Sequence, residues 1–171
     1  MPDHSQSGMV FDATVLSNFA RIEQFHRRAP LYSKRGATTL MVVEEVQRGI
    51  QAGYSQLEVI LSSLAPAGWL AVVTPETAEE RSLYVNLLAT LGAGKASCLA
   101  VGRMRNMVVA TDDRAARLKA AKHAIHVTGT LGILTRLVQE DIVPLPYANE
   151  LLTRMIHQGF RSPIRELEPG S

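Results

Sequence analysis

Apolar residues along this chain alternate between short runs and helical stripes. Short apolar runs rich in β-branched residues, which are typical of buried strands, occur at residues 9–13, 70–75, 107–111 and 124–128. Elsewhere apolar residues recur every three or four positions, as at Val15, Phe19 and Ile22, and this period indicates helices. The pattern predicts helices at residues 14–28, 38–53, 75–92, 94–105, 113–123, 129–141 and 147–159. The alternation predicts an α/β fold, a three-layer α/β/α sandwich with a parallel sheet.

The pattern predicts one domain. Its elements follow one another without a repeat or a long linker, so we expect a single domain over residues 1–160. The remaining stretch, residues 161–171 with the sequence RSPIRELEPGS, has little to bury, and we expect a mobile C-terminal tail.

Composition excludes some classes of protein. The 171 residues are 46% hydrophobic, with 18 Lys and Arg against 16 Asp and Glu, so a net charge of +2 neither demands nor excludes a polyanionic partner. The single cysteine, Cys98, cannot form an internal disulfide, which fits a reducing compartment. The first residues do not resemble a signal peptide, and no apolar run approaches the length of about 18 residues that a membrane crossing needs. We therefore expect a cytoplasmic protein with no membrane partner.

Three acids stand where predicted strands end and helices begin. Asp12 closes the first apolar run, and Asp112 and Asp113 close the run at residues 107–111. Ligands of open parallel sheets bind outside the carboxyl ends of the strands. Carboxylates that converge there need a cation, and hard oxygen ligands suit Mg²⁺ or Mn²⁺. The alternative is N-capping, in which each Asp accepts hydrogen bonds from free helix amides.

Other charged residues are candidates for the same site. Glu44 and Glu45 lie about 100° apart around a predicted helix, so only one faces any given site, and we select Glu45. A solvated charged face is the alternative for this pair. Arg114 and Arg117 follow the acidic pair directly and are placed to contact phosphates, although basic residues on helices more often serve solubility.

The chain resembles the PIN-domain family of metal-dependent nucleases, in particular a prokaryotic branch related to the VapC-type toxins. The resemblance covers nearly the whole chain, and its most branch-specific part is HVTGTLGILTRLVQEDIVP (126–144) followed by LLTRMIHQGFR (151–161). The other segments that carry it are VFDATVLSNFARI (10–22), VVEEVQRGI (42–50), LGAGKASCLAVG (91–102) and VVATDDRAARLKAA (108–121).

The resemblance implies a parallel sheet of about five strands and hydrolysis of RNA phosphodiesters with Mg²⁺ or Mn²⁺. By motif, Asp12 matches the aspartate of the first strand, Glu45 the acid of the second motif, and Asp112 and Asp113 the final acids. These four would be the catalytic residues, with the metal on Asp12, Asp112 and Asp113. The resemblance also implies RNA as substrate, a homodimer, and an antitoxin protein as partner if the chain is the toxin of a toxin–antitoxin pair.

One position departs from the family pattern. The segment GAGKAS carries Lys95 where the family usually has an acid, and an ammonium repels a divalent ion that a carboxylate attracts. Three interpretations stay open. Lys95 contacts the substrate phosphate in place of a cation, as Arg114 and Arg117 would beside it. Alternatively the protein is a degenerate PIN-fold module that binds RNA or a protein partner without cleavage, or Lys95 extends to solvent and the motif is offset.

Overall fold

A computed structural model gives the fold and describes residues 8–22 and 35–170. The strands are β1 (Met9–Phe11), β2 (Gly36–Thr39), β3 (Ala71–Val73), β4 (Val108–Ala110) and β5 (Val127–Thr128). The helices in the described ranges are α1 (Ala13–Ala20), α2 (Leu40–Gln51), α3 (Glu58–Ser62), α4 (Ala78–Leu88), α5 (Ala93–Met104), α6 (Arg114–Lys122), α7 (Thr130–Gln139) and α8 (Leu145–His157).

The five strands form one parallel sheet in the order β3-β2-β1-β4-β5. The central strand β1 pairs with β2 on one side and with β4 on the other, with Val10 opposite both Ala37 and Val109. All residues of β1 and β4 are buried, as expected for strands covered on both faces. The predicted α/β fold with a parallel sheet of five strands is confirmed.

Helix α5 is the most deeply buried helix of the described chain. Its residues from Ala96 to Gly102 are all buried, and it contacts β1, β2 and β4. Gly102 permits this close approach, because a Cβ atom there would collide with the side chain of Val109. The first residues of α5 are thereby held at the edge of the sheet where the strands end.

Three elements differ from the sequence prediction, and one is α3 (Glu58–Ser62), which lies where no helix was predicted. Strand β2 was not predicted, because its sequence GATT has no apolar run. Thr38 is buried, and its Oγ1 donates a hydrogen bond to Phe11 O at 2.8 Å. Thr39 then serves as the N-cap of α2, with its Oγ1 accepting from Val42 N at 3.3 Å. Helix α1 ends at Ala20, and the part of its predicted range beyond Ile22 lies outside the described residues.

The C-terminal segment contacts the domain. Leu167 is 5% exposed and belongs to the core; its N–H donates to Asn149 Oδ1 at 2.7 Å, and Asn149 Nδ2 donates to Leu167 O at 3.3 Å. The tail expected over residues 161–171 is therefore attached to α8 in its described part, and its mobility stays a prediction. In the described ranges, every helix is too short or too polar to cross a membrane.

A buried ion pair joins the start of α4 to the end of α5. Glu80 closes a capping box with Thr77 and also accepts from Glu76 N at 2.7 Å. Arg105 donates from Nε to Glu80 Oε1 at 2.7 Å and from Nη2 to Thr74 O at 2.8 Å. These hydrogen bonds, Arg105 foremost, lower the pKa of Glu80 to about 2.

We expect Glu80→Gln to destabilise the protein at neutral pH by about 2 kcal/mol. Because the pKa of Glu80 is lower in the folded state, its contribution is fully present above the ordinary pKa of 4.5 and disappears as the pH falls to about 2. Urea unfolding of both proteins across this pH range measures the difference. The exposed neighbour Glu79 provides the matched control Glu79→Gln. A difference that does not shrink at low pH would contradict the account.

Candidate active site

The site lies at the carboxyl ends of the neighbouring strands β1 and β4. The connection from β1 leads to β2 on one side, while β4 lies on its other side, so the carboxyl ends of β1 and β4 form the crevice in which such sheets bind ligands. Asp12 follows β1 and donates from its backbone N to Ala110 O at 3.0 Å. Asp112 and Asp113 follow β4. The prediction that these acids share one edge of the sheet is confirmed.

Asp12 is buried, with 1% of its surface exposed, and it caps α1. Its Oδ1 accepts from Thr14 N at 2.9 Å, from Thr14 Oγ1 at 2.6 Å and from Val15 N at 3.2 Å, while Oδ2 accepts from Thr111 Oγ1 at 2.5 Å. Burial raises the pKa of Asp12, and the hydrogen bonds and the charge of Lys95 act against that shift. Oδ2, with one hydrogen bond, is the oxygen with spare acceptor capacity.

Two threonine hydroxyls, missed by the sequence analysis as site residues, connect the acids. Thr14 Oγ1 donates to Asp12 and accepts from Asp112 N at 3.0 Å. Thr111 Oγ1 donates to Asp12 and accepts from Asp113 N at 3.1 Å. Each hydroxyl therefore links the carboxylate that follows β1 to the backbone that follows β4. The available signal was their spacing, two residues after Asp12 and one residue before Asp112.

Asp112 caps a helix that is distant in sequence. Helix α7 begins after Gly129, which has no side chain to cap it, and Asp112 Oδ1 accepts from Thr130 N at 2.8 Å. Its Oδ2 accepts from Thr130 Oγ1 at 2.5 Å and from Asn18 Nδ2 at 2.9 Å. Position 129 must be glycine, because a Cβ there would collide with Asp112 Oδ1. Asn18 and Thr130 are further site residues that the sequence analysis did not find.

Asp113 caps α6 and pairs with Lys95. Its Oδ1 accepts from Ala116 N at 2.8 Å, and its Oδ2 lies 3.8 Å from Lys95 Nζ. The Lys95 side chain is 24% exposed and its charge also acts on Asp12, so it is directed toward the acids. The interpretation in which Lys95 extends to solvent does not fit this geometry.

Glu45 and Arg117 reach the same region. Glu45 is half-buried on α2 against the first turn of α5, with Oε2 2.6 Å from the point where a Cβ on Gly94 would lie, whereas Glu44 is exposed. The charges of Asp12 and Glu45 contribute, after burial, to raising the pKa of Cys98 one turn further along α5. Arg117 donates from Nη1 to Thr111 O at 3.0 Å. Arg114 is exposed, and in the described residues it makes no ion pair with these acids.

Each of the three aspartates is thus a helix cap, as the alternative interpretation predicts, and capping does not exclude metal binding because a carboxylate has about four acceptor sites. No cluster of three or more acidic, histidine or cysteine side chains in the described ranges has the geometry of a complete metal site. Oxygens with spare capacity are Oδ2 of Asp12 and Oδ1 of Asp112, each with one hydrogen bond, and Oδ2 of Asp113, which faces Lys95. Hard carboxylate oxygens of this kind suit a divalent cation, and Lys95 is the group that such a cation would displace.

Comparison with known proteins agrees with this fold. The crystal structure of PAE2754 from Pyrobaculum aerophilum superposes with a TM-score of 0.54 at 17% identity, covering 80% of this chain and 98% of that chain. At this identity the likeness concerns the fold alone. No curated protein matches the sequence. A family model described as PIN domain matches residues 8–169, nearly the whole chain. The chain therefore belongs to the PIN-domain family.

Proposed function

We propose that this protein is a divalent-metal-dependent ribonuclease that hydrolyses RNA phosphodiesters at the carboxyl ends of β1 and β4. The observation that carries the proposal is the placement of Asp12, Asp112 and Asp113 in one crevice of a PIN domain. Catalysis by such a site requires carboxylates held in fixed positions. The threonine hydroxyls and the helix amides described above provide that rigidity.

Each acid of the site has its own role in this proposal. Oδ2 of Asp12 and Oδ2 of Asp113 would hold one Mg²⁺ or Mn²⁺, and Glu45 borders the same space. The metal, when bound, supplies an activated water and neutralises charge that develops on the phosphate. Asp112 positions α7 through Thr130, and its Oδ1, which accepts one hydrogen bond, would be a further oxygen for the metal.

The substrate phosphate needs positive charge around it. Helices α1, α5, α6 and α7 all begin at this edge, and the N-terminal ends of helices favour anions. Helix α5 starts at Gly92 without a side-chain cap and carries Lys95 in its first turn. In this proposal Lys95 leaves Asp113 when metal binds and contacts the phosphate, next to Arg117.

The biological role is a further part of the proposal. The resemblance to VapC-type toxins supports the toxin role, an antitoxin protein as partner, and a homodimer. The cytoplasm as its location is supported by the single buried cysteine.

One observation favours a second function. Lys95 lies 3.8 Å from Asp113 and supplies within the chain a positive charge at the acids. This ammonium offsets part of the charge of the acids and can itself contact a phosphate without metal and without cleavage. The second candidate is therefore a PIN-fold module that binds RNA or a protein partner and does not cleave.

We expect Asp12→Asn to reduce Mn²⁺-dependent cleavage of a mixed single-stranded RNA pool by a factor of about 100 or more, because a lost ligand should cost at least as much as a lost supporting residue. Asparagine can keep the same geometry, accepting at Oδ1 and donating from Nδ2 to Thr111, so the variant should fold. Its melting temperature without metal should equal or exceed that of the wild type, since burial of the charged carboxylate is unfavourable.

The matched control is Asp141→Asn, at an exposed turn after α7 whose φ of 55° suits asparagine. It should cleave like the wild type. Equal, metal-independent background in the wild type and in Asp12→Asn would overturn the ribonuclease and leave the binding module.

We expect Lys95→Glu to strengthen Mn²⁺ binding by about ten-fold or more, because a ligand replaces a repelling charge. Without metal the same variant should lose stability by about 1 kcal/mol or less, since the pair with Asp113 is partly exposed. Calorimetric Mn²⁺ titration and thermal melting measure both effects. Lys95→Met separates loss of the cation from gain of a ligand.

The two candidate functions predict different activities for these variants. A ribonuclease with a weakened metal site should cleave faster after Lys95→Glu. Metal affinity and melting temperature that are unchanged in both variants would contradict the placement of Lys95 among the acids.

A further inference from the structure

A pocket of about 500 Å³ opens beside the acids on the side of β5 and α7. Asp112 belongs both to the acid group and to the wall of this pocket. Anything bound in the pocket therefore lies next to a phosphodiester held at the acids. Its volume falls in the range typical of small-ligand sites and accommodates a single nucleotide. The residues that matter for its chemistry are Asp112, Arg117, Gly129, Leu131, Phe160 and Arg161.

One wall of the pocket is apolar and carries an aromatic ring. Phe160 is half-buried and lines the pocket together with Leu131 and Pro163. The end of α8 fixes its position: Gly159 has a φ of 106° and donates to Ile156 O at 3.0 Å, and Phe160 N donates to Met155 O at 2.9 Å. This is a Schellman motif, which places the residue after the glycine in a defined orientation. A rigid aromatic side chain at a wet pocket is suited to stacking on a nucleobase.

The pocket is lined by two cations, Arg117 and Arg161, and by one acid, Asp112, which borders Gly129 as Arg117 does. In the described part of the chain, neither Arg117 nor Arg161 has a carboxylate oxygen within ion-pair distance. Arg117 uses Nη1 to bind Thr111 O, which holds the guanidinium beside Gly129 and leaves its other N–H groups as donors. A guanidinium recognises phosphate with several donors at once.

Asp112 determines where a phosphate can lie in this pocket. Its carboxylate is negative, and both oxygens already accept hydrogen bonds from Thr130 and Asn18. A phosphate is therefore repelled from this wall and attracted to Arg117 and Arg161. The base then faces Phe160.

We propose that this pocket binds one unpaired nucleotide of a single-stranded RNA, adjacent to the phosphodiester at the acids. Its base stacks on Phe160 against Leu131, and its phosphate binds Arg117 and Arg161. The proposal rests on the proposed ribonuclease function and adds to it a subsite for one base beside the acids. In a duplex the base is paired and stacked, and so is not available to Phe160.

The test measures RNA binding by fluorescence anisotropy in EDTA, where cleavage plays no part. The probe is a short fluorescein-labelled single-stranded RNA of mixed sequence. We expect Phe160→Ala to weaken binding about ten-fold, Phe160→Leu to weaken it similarly, and Phe160→Trp to restore it, because stacking needs an aromatic face. Phe160→Leu preserves an apolar side chain and guards against misfolding as the cause.

Charge is tested with Arg161→Gln, which should weaken binding and reduce the slope of log K against log salt by about 0.7. The matched control is Arg48→Gln. Arg48 lies in the last turn of α2 and so at the opposite edge of the sheet, and this change should alter neither quantity. A duplex of the same sequence should bind more weakly than the single strand and should not respond to Phe160→Ala.

The outcomes separate this proposal from the ribonuclease itself. RNA binding that is unchanged in both Phe160→Ala and Arg161→Gln overturns the pocket, even where Asp12→Asn abolishes cleavage. Duplex binding as tight as single-strand binding also overturns it. Binding that depends on Phe160 and Arg161, in a protein whose background cleavage is the same after Asp12→Asn, supports the pocket and overturns the ribonuclease.

Discussion

The burial of one carboxylate, that of Asp12, is the constraint on which the rest of the site depends. An ionised carboxylate is costly to remove from water unless donors surround it. This chain provides four hydrogen bonds, from Thr14, Val15 and Thr111, which come from the start of α1 and the end of β4. The same hydroxyls accept the N–H groups of Asp112 and Asp113, so satisfying Asp12 fixes where the other two acids lie. The hydrogen bonds that cap the helices therefore also hold the three acids in place.

Lys95 shows how the site balances its charge. Asp12, Asp112 and Asp113 meet at one edge, and like charges held together raise the free energy of the folded protein. The ammonium of Lys95, at 3.8 Å from Asp113, offsets part of this repulsion in the metal-free protein. A metal must compete with that ammonium, so in this account it binds more weakly than it would to an uncompensated set of acids. Lys95 therefore adds a positive charge at the position where a carboxylate would attract a divalent ion.

Much of this arrangement could be predicted from the sequence. The apolar runs gave four of the five strands, and the acids after the first and fourth strands identified the edge because parallel strands end together. Strand β2 was not predicted, because Thr38 and Thr39 are buried as hydrogen-bonded polar residues and so form no apolar run. Asn18 and Thr130 were not predicted as site residues, because they contact Asp112 only in the folded chain, across sequence separations of 94 and 18 residues. Arg161 fell in the expected tail and Phe160 just before it, and only the end of α8 places them beside Asp112.

In the proposed function the acids hold one divalent cation, although Lys95 lies 3.8 Å from Asp113. The most direct test of this site is the stoichiometry of Mn²⁺ binding to the wild-type chain, measured by calorimetry or by the electron paramagnetic resonance of free Mn²⁺. The account predicts one Mn²⁺ per chain, with binding that weakens at high salt because charges govern it. Two ions per chain would contradict the role assigned to Lys95, and no binding at millimolar Mn²⁺ would contradict the metal site.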